Sequence, residues 1–469
     1  MEFASANFIF VFLPVVFLLH LAVPAKFTKV RNWLLIAASL FFYAWGNLYY
    51  VVLMLASSAV NFAIGLIFKK RRDKNNKPIL IAAVAFNVAI LAVFKYADFF
   101  IDTVNGVFSS ELPKLGIVSP LGISFFTFQA LSYIIDAYRG DIEPTRDFGK
   151  FLLFISFFAQ LVQGPIIRWA TVEKDLGSRR MTPEGIADGL RLFIIGLSMK
   201  LILANTLGGV TSFVYGLDPA ELNAAYAWTG AVSFTLQLYF DFAGYSVMAM
   251  GLGAMFGITV PRNFNYPYIA NSMTDFWRRW HITLSGWFMD YVYIPLGGNR
   301  KGAFRTGLNK VIVFLLTGLW HGANWTFVVW GAYNGVFLLG ENYLKKTKLR
   351  LPKAVTWLYM IVAVTVGFAI FNSPDMAYAW AMIKNMFTGF TAGAETLSAL
   401  SKVFKPTVIL VFVLSAISAT PVLKLVMNKL ENRPVLSAVL KYGSAAILFV
   451  LCVFFIASGN FNPSIYTKF

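Results

Sequence analysis

Apolar runs of bilayer length recur from about residue 5 to residue 458, and the polar and charged residues are gathered into short connectors between them. A helix needs ~20 predominantly apolar residues to cross the hydrocarbon core. Residues 5–24 meet this despite Pro14, which is tolerated where neighbouring helices satisfy the carbonyl it frees. Residues 31–68 hold two spans with a break near Gly46-Asn47. Residues 78–108 hold one span with an apolar extension, and 147–164 a further span that Gly164-Pro165 ends. A polar connector over 169–185 follows, then apolar stretches at 186–214, 226–257, 355–372, 407–427 and 439–458. With the segments between 275 and 342, the pattern predicts an all-α polytopic membrane protein of roughly eleven to thirteen membrane segments. It is expected to form one continuous domain over residues 1–469.

Two stretches depart from plain hydrophobicity. PLGISFFTFQALSYIIDAYRG (120–140) mixes aromatics with small polar residues, and on a helix Phe125, Gln129, Ser132 and Asp136 share a face. Lipid penalises such a face, so it is expected to line a cavity or a helix contact, which makes Gln129 a binding candidate. In LQLYFDFAGYSVMAMGLGAMFG, Asp241 is embedded among aromatics. A carboxylate at that depth needs a cation, and Arg262, Arg278 or Arg279 is expected to supply it. His20, near the end of the first span, is read as an interfacial residue.

Composition strengthens the membrane reading. The chain is 58% hydrophobic and 13% charged, with a mean hydropathy of +0.66, too apolar for a soluble globule. A net charge of +18 would suggest nucleic acid in a soluble protein, but here the excess sits in the connectors, as the positive-inside rule requires. Membrane lipids and an anionic cytoplasmic donor are therefore the expected partners, and nucleic acid is not. Lys69 to Lys77, with six basic residues in nine, is expected on the cytoplasmic side, and three spans before it put the N-terminus outside. The leading charge is Glu2, which favours a retained first span over a cleaved signal peptide. The single Cys452 lies in the last apolar run. It argues against a disulfide framework, a cysteine metal site and a cysteine-borne acyl intermediate, and is read as core filler.

Chemistry concentrates in TDFWRRWHITLSGWFMDYVYIPLGGNR and VIVFLLTGLWHGANW, which hold two of the three histidines. His281 follows Trp280 and His321 follows Trp320, both against apolar sequence where ionisable groups are costly and functional by default. Over 275–291 an amphipathic helix is expected, with Trp280, Leu284, Trp287 and Tyr291 as its apolar stripe and Asp275 pairing with Arg279 four residues on. Arg278, Arg279 and His281 together suit phosphate groups at a cavity entrance, unless the segment is an interfacial helix meeting lipid headgroups. Pro295, Gly297 and Gly298 force an irregular turn. Basic connectors at 299–310 and 344–353 (Lys345, Lys346, Lys348, Arg350, Lys353) bracket His321. If both are cytoplasmic, apolar arms at 311–320 and 325–342 go in and return, the first too short to cross. WHGAN would then sit at a re-entrant turn, with Gly322 permitting close approach and Asn324 orienting the imidazole. A buried neutral imidazole can take a proton from a hydroxyl, which favours acyl transfer to an alcohol; a hydrogen-bonded core histidine is the competing reading. Two histidines without a nearby cysteine make a weak metal site.

At these residues the sequence resembles the membrane-bound O-acyltransferase family, in its bacterial branch of alginate and peptidoglycan O-acetyltransferase membrane subunits. The resemblance rests on PLGISFFTFQALSYIIDAYRG, QGPIIRW, LQLYFDFAGYS, GLGAMFGI, NFNYPY, FWRRWHITLS, DYVYIPLGGNR and GLWHGANW, in the family's order. It implies helices around a central tunnel, with His321 catalytic and His281 the second family histidine. Trp320, Asn324, Arg278, Arg279, Trp280, Asp290, Asp241 and Gln129 are the substrate-binding candidates. The resemblance also implies a multi-pass protein of the bacterial cell membrane that binds no cofactor and takes an acetyl group from acetyl-CoA. A cell-surface polysaccharide is the implied acceptor and an extracytoplasmic SGNH-hydrolase-type protein the implied partner. The chain departs from its relatives at Val247, where Asp is common, and at Met289, where Arg is common. D-alanyl transfer in teichoic acid modification is the alternative among enzymes; a transporter or flippase with a histidine proton relay is the alternative of another class.

Overall fold

The computed structural model describes residues 1–72, 74–344, 347, 351–430, 432–459 and 465, and among them there is no strand. Among the described residues, four helices are long and apolar enough to cross a membrane: Leu48–Lys70, Lys77–Phe108, Lys353–Asn372 and Pro434–Ala457. Ala394–Val403 and Pro406–Ser418 would add a fifth span, bent by 76° at its break. The protein is an all-helical, multi-pass membrane protein. The chain divides into two compact units, residues 1–193 with 246–261, and residues 194–245 with 262–469.

In the first unit the expected break near Gly46-Asn47 is present: Thr28–Ala44 ends and Leu48–Lys70 begins, with Asn47 accepting the Tyr49 N–H at 2.9 Å as cap. Phe8 packs against Phe3, Phe12, Phe42, Phe158 and Phe193, so the N-terminal segment is anchored by ring contacts at 4.7–6.2 Å. The Ile123–Arg139 helix is buried almost all round, so its polar face makes helix contacts. Gly189 and Gly251 bring the Pro183–Ser198 and Ala224–Phe256 helices together so closely that a methyl on either would strike the other's carbonyl oxygen.

Four expectations change here. The 147–164 segment is not one helix ended by Gly164-Pro165. It breaks earlier, at Phe157, between Phe148–Ser156 and Phe158–Leu161. The break survives burial because its polar groups find partners: Ser39 Oγ accepts the Phe158 N–H at 3.1 Å and Gln160 donates to the Phe154 carbonyl at 2.6 Å. The polar connector 169–185 contains a helix, Trp169–Gly177, because Trp169, Val172 and Leu176 recur at three and four residues and are buried. His20 is fully buried against Phe256, not at an exposed interface. The 407–427 stretch is cut into Pro406–Ser418 and Val422–Lys429 by Pro421.

In the second unit the organising element is a hairpin of two 20-residue helices, Gly302–His321 and Trp325–Leu344. This corrects the short first arm: residues 302–310 are polar yet helical, so the arm spans about 30 Å at ~1.5 Å per residue and matches its partner. The arms meet through Gly318 and Gly331, where a Cβ would run into the carbonyl oxygens of Phe327 and Phe314. Asn309 donates to the Gly298 carbonyl at 3.0 Å and fixes the glycine turn, Gly297 and Gly298 both having positive φ. Lys345, Lys346, Lys348 and Arg350 of the 344–353 connector, and Asp73 of the Lys69–Lys77 loop, lie outside the described residues.

Gly331→Val should pry the hairpin apart. A fall in detergent unfolding temperature equivalent to about 1–3 kcal/mol is expected, with Gly331→Ala intermediate; thermal unfolding followed by intrinsic tryptophan fluorescence measures it.

Candidate functional site

The site is built from three pieces of the second unit. Met273–Arg279 is a short helix capped by Ser272, whose Oγ accepts the Asp275 N–H at 3.0 Å. Glu341 accepts from the Thr274 N–H at 3.0 Å and from the Thr274 hydroxyl at 2.6 Å, and Asn334 accepts the Trp277 indole N–H at 3.2 Å. These bonds fasten the helix to Trp325–Leu344. The amphipathic helix expected over 275–291 does not run through. Trp280 is extended and His281 is left-handed at φ +46, after which Ile282–Phe288 starts in a new direction. A left-handed residue with a Cβ is strained by about 1 kcal/mol or more, so the surroundings must hold it.

They do so through Asn263 of the NFNYPY motif. Its backbone carbonyl accepts the Ile282 N–H at 2.9 Å. Its side-chain oxygen accepts the Thr283 N–H at 3.1 Å, the Thr283 hydroxyl at 3.0 Å and the His281 Nδ1–H at 3.2 Å. The backbone donor fixes which end of the amide is oxygen, and hence that Nδ1 carries the proton. His281 is 1% exposed, edge-on to Phe242 at 4.6 Å, and its Nε2 has no hydrogen-bond partner among the described residues.

His321 ends the Gly302–His321 helix. Its Nδ1 donates to the Thr317 carbonyl one turn back at 2.7 Å, so its lone pair also falls on Nε2. Trp320 at 5.0 Å, Trp330 at 5.0 Å and Phe371 at 5.4 Å enclose the ring. Trp320 also meets His281 at 5.7 Å, so one indole touches both imidazoles. Two histidines in the same tautomer, each with its Nδ1 proton tied to an oxygen, therefore flank one aromatic ring. Among the described residues no three His, Cys, Asp or Glu side chains come together as a metal-ligand set.

The remaining candidates divide. Trp280 is a core anchor, packed on Tyr239, Phe264, Tyr268, Phe276 and Phe368. Arg279 is committed to Asp275 at 3.0 Å, as expected, and to the Asn265 carbonyl at 3.4 Å; Arg278 is exposed. Asn324 does not orient an imidazole: it caps Trp325–Leu344 by accepting the Thr326 N–H at 3.0 Å and donates to the Pro374 carbonyl at 3.0 Å. Gly322 is extended, and what forbids a side chain there is the Phe327 ring against it. Asp290 is half-buried on the π-helical turn Met289–Tyr293. Gln129 belongs to the first unit, buried, with its Oε1 lacking a hydrogen-bond partner among the described residues.

Asp241 pairs with Lys200, not with Arg262, Arg278 or Arg279, and its second oxygen accepts the Ile465 N–H at 2.9 Å. Arg262 instead donates to the Phe264 carbonyl. Lys200 was legible as an intramembrane cation within the 186–214 stretch. Asn263 and Thr317, which set both tautomers, carry no sequence signal beyond the motif and the helical i−4 position.

Residues 145–373 match the membrane-bound O-acyltransferase family, and this interval contains both histidines, Asn263 and Asp241 but not Gln129. The chain is 40% identical over 410 residues to a protein named probable alginate O-acetylase in Azotobacter vinelandii, covering 86% of this chain and 80% of that one. It is 36% identical over 419 residues to the peptidoglycan O-acetyltransferase of Helicobacter pylori, covering 82% and 79%. To the teichoic acid D-alanyltransferase of Bacillus subtilis it is 30% identical over 277 residues, covering 55% and 69%.

Asp241→Asn strands Lys200 in the core and should cost about 3–5 kcal/mol, whereas Lys200→Met with Asp241→Leu should recover most of it. Unfolding temperatures of the single and double variants test this, and a double variant no better than the single would contradict the pairing.

Proposed function

The chain belongs to the membrane-bound O-acyltransferase family, and on that premise we propose that it moves an acetyl group from acetyl-CoA on the cytoplasmic side to hydroxyls of a cell-surface polysaccharide. The observation that carries the chemistry is the pair of buried imidazoles, each with Nδ1–H tied to an oxygen. In this reading His321 Nε2 takes the proton of the acceptor hydroxyl as its oxygen attacks the thioester carbonyl. The new C–O bond forms, the C–S bond breaks, and the imidazolium returns the proton to the departing thiolate. His281 Nε2, buried and unpartnered among the described residues, is suited to hydrogen-bond a reacting group. The Asn263 and Thr317 oxygens hold the two tautomers and so act as positioning groups.

Acetyl transfer is favoured over D-alanyl transfer because the O-acetylating relatives match more of the chain at higher identity. Exposed Arg278, Arg300 and Lys301 suit the phosphates of the donor. An extracytoplasmic SGNH-hydrolase-type protein is the proposed partner for the final transfer. A histidine proton relay in a transporter would move glycan without altering it covalently.

Membranes carrying the protein and its partner, given acetyl-labelled donor, should label polysaccharide, and His321→Ala should lower the rate at least about a hundredfold at equal protein level. Glycan movement with no label, or an unimpaired His321→Ala protein, would refute the assignment. Asn263→Ala should lower kcat with His281 still present, and Asn263→Asp, which keeps the acceptor oxygen, should recover part of the loss.

A further inference from the structure

In the unit formed by residues 1–193 and 246–261, two arginines and a histidine are buried together without an acid. Arg31 and Arg179 are 7% and 8% exposed, and His20 is fully buried. Arg31 donates to the Val23 carbonyl through Nε at 2.9 Å and Nη2 at 2.7 Å. Arg179 donates through Nη1 to His20 Nε2 at 3.2 Å and through Nη2 to Asn32 Oδ1, while Asn32 itself donates to the Leu176 carbonyl at 3.0 Å. Among the described residues neither guanidinium has a carboxylate within ion-pair distance. Asp175, the acid that acts on Arg179 from further away, is committed to the Thr259 N–H at 2.8 Å. Burial, and then the charge of Arg31, pull the Arg179 guanidinium down to about 10, the direction of a cation short of counter-charge.

Carbonyls at the ends of the Leu13–Ala22 and Trp169–Gly177 helices offset part of this charge. They leave two atoms unexplained. Arg179 Nε and His20 Nδ1 are buried and have no hydrogen-bond partner among the described residues. A guanidinium only donates, so His20 Nε2 must accept and the imidazole proton sits on Nδ1. Both orphan atoms are therefore donors beside surplus positive charge, a combination that an anion satisfies and a purely structural cluster does not.

A cavity of about 520 Å³ lies alongside. Ser178 and Arg180, the chain neighbours of Arg179, line it together with Asp175, Thr259 and Gly257, which packs against the Arg179 side chain; Leu192, Met250 and Val260 are among its apolar residues. Exposed Phe27 and Trp33 alternate with exposed Lys26 and Lys29 on the segment carrying Arg31, the pairing found at membrane interfaces. We propose that the His20–Arg31–Arg179 cluster is a binding site for a phosphate group, carried by a membrane lipid or by a soluble anion.

The test uses the full chain, delipidated in detergent, with dioctanoylphosphatidylglycerol, inorganic phosphate, or phosphate-free dioctanoylglycerol. A saturable rise in unfolding temperature with a phosphate compound, and none with dioctanoylglycerol, is expected. A rise with the phospholipid alone identifies a lipid headgroup site, and a rise with inorganic phosphate a site for soluble anions. Arg179→Gln should weaken binding at least about tenfold while leaving the ligand-free unfolding temperature unchanged or higher, since an unpaired buried charge is removed. His20→Leu, which removes one donor and keeps both arginines, should weaken binding in the same assay. No shift with either phosphate compound, or equal shifts in wild type and both variants, would overturn the site. So would a lower ligand-free unfolding temperature in Arg179→Gln coupled with no phosphate response, which would mark the cluster as structural.

Discussion

A polar atom removed from water needs a partner or carries a free-energy cost, and at membrane depth that requirement is stringent. The second unit meets it for His281 by folding the Asn263 segment back onto the start of the Ile282–Phe288 helix. One amide oxygen there accepts from a backbone N–H, a hydroxyl and the imidazole. That convergence holds the left-handed backbone at His281, and the left-handed backbone turns the imidazole inward toward Trp320. Without Asn263 the strain at His281 would be unsupported and the break between the two short helices would have no reason to persist.

His321 is held by a different economy. A helix-terminal histidine reaching back to the carbonyl four residues earlier needs no partner from elsewhere, only a helix that ends on time and stays in place. Gly318 and Gly331 keep it in place by letting the hairpin arms touch, and the Phe327 ring against Gly322 keeps the chain extended past the helix end. The requirements of the hairpin and of the imidazole thus fall on the same few residues, which is why glycines and aromatic rings crowd the GLWHGANW motif.

The membrane class, the break at Gly46-Asn47 and the Asp275–Arg279 pair were legible from hydropathy and spacing. Breaks inside apolar sequence were not. Nothing local in Phe157 or His281 announces a turn; Ser39 and Asn263, more than a hundred residues and 18 residues away respectively, supply the bonds that make each break affordable. Charge partners failed for the same reason: three arginines near in sequence were preferred for Asp241, but the low dielectric rewarded Lys200, already buried nearby. Asn324 misled because adjacency to His321 suggested contact, whereas its position before Trp325 made it a helix cap. The first hairpin arm is longer than its apolar run because hydropathy counts apolar residues, while helix length also includes residues 302–310, about two and a half turns.

The central claim is that His281 and His321 both carry their proton on Nδ1 and offer Nε2 to the reaction. The chain has only three histidines, so nitrogen-15 NMR of histidine-labelled protein in nanodiscs, assigned by single substitutions, can read each ring directly. The account predicts a protonated Nδ1 and an unprotonated Nε2 for both residues. A protonated Nε2 with bare Nδ1 at either one would contradict it.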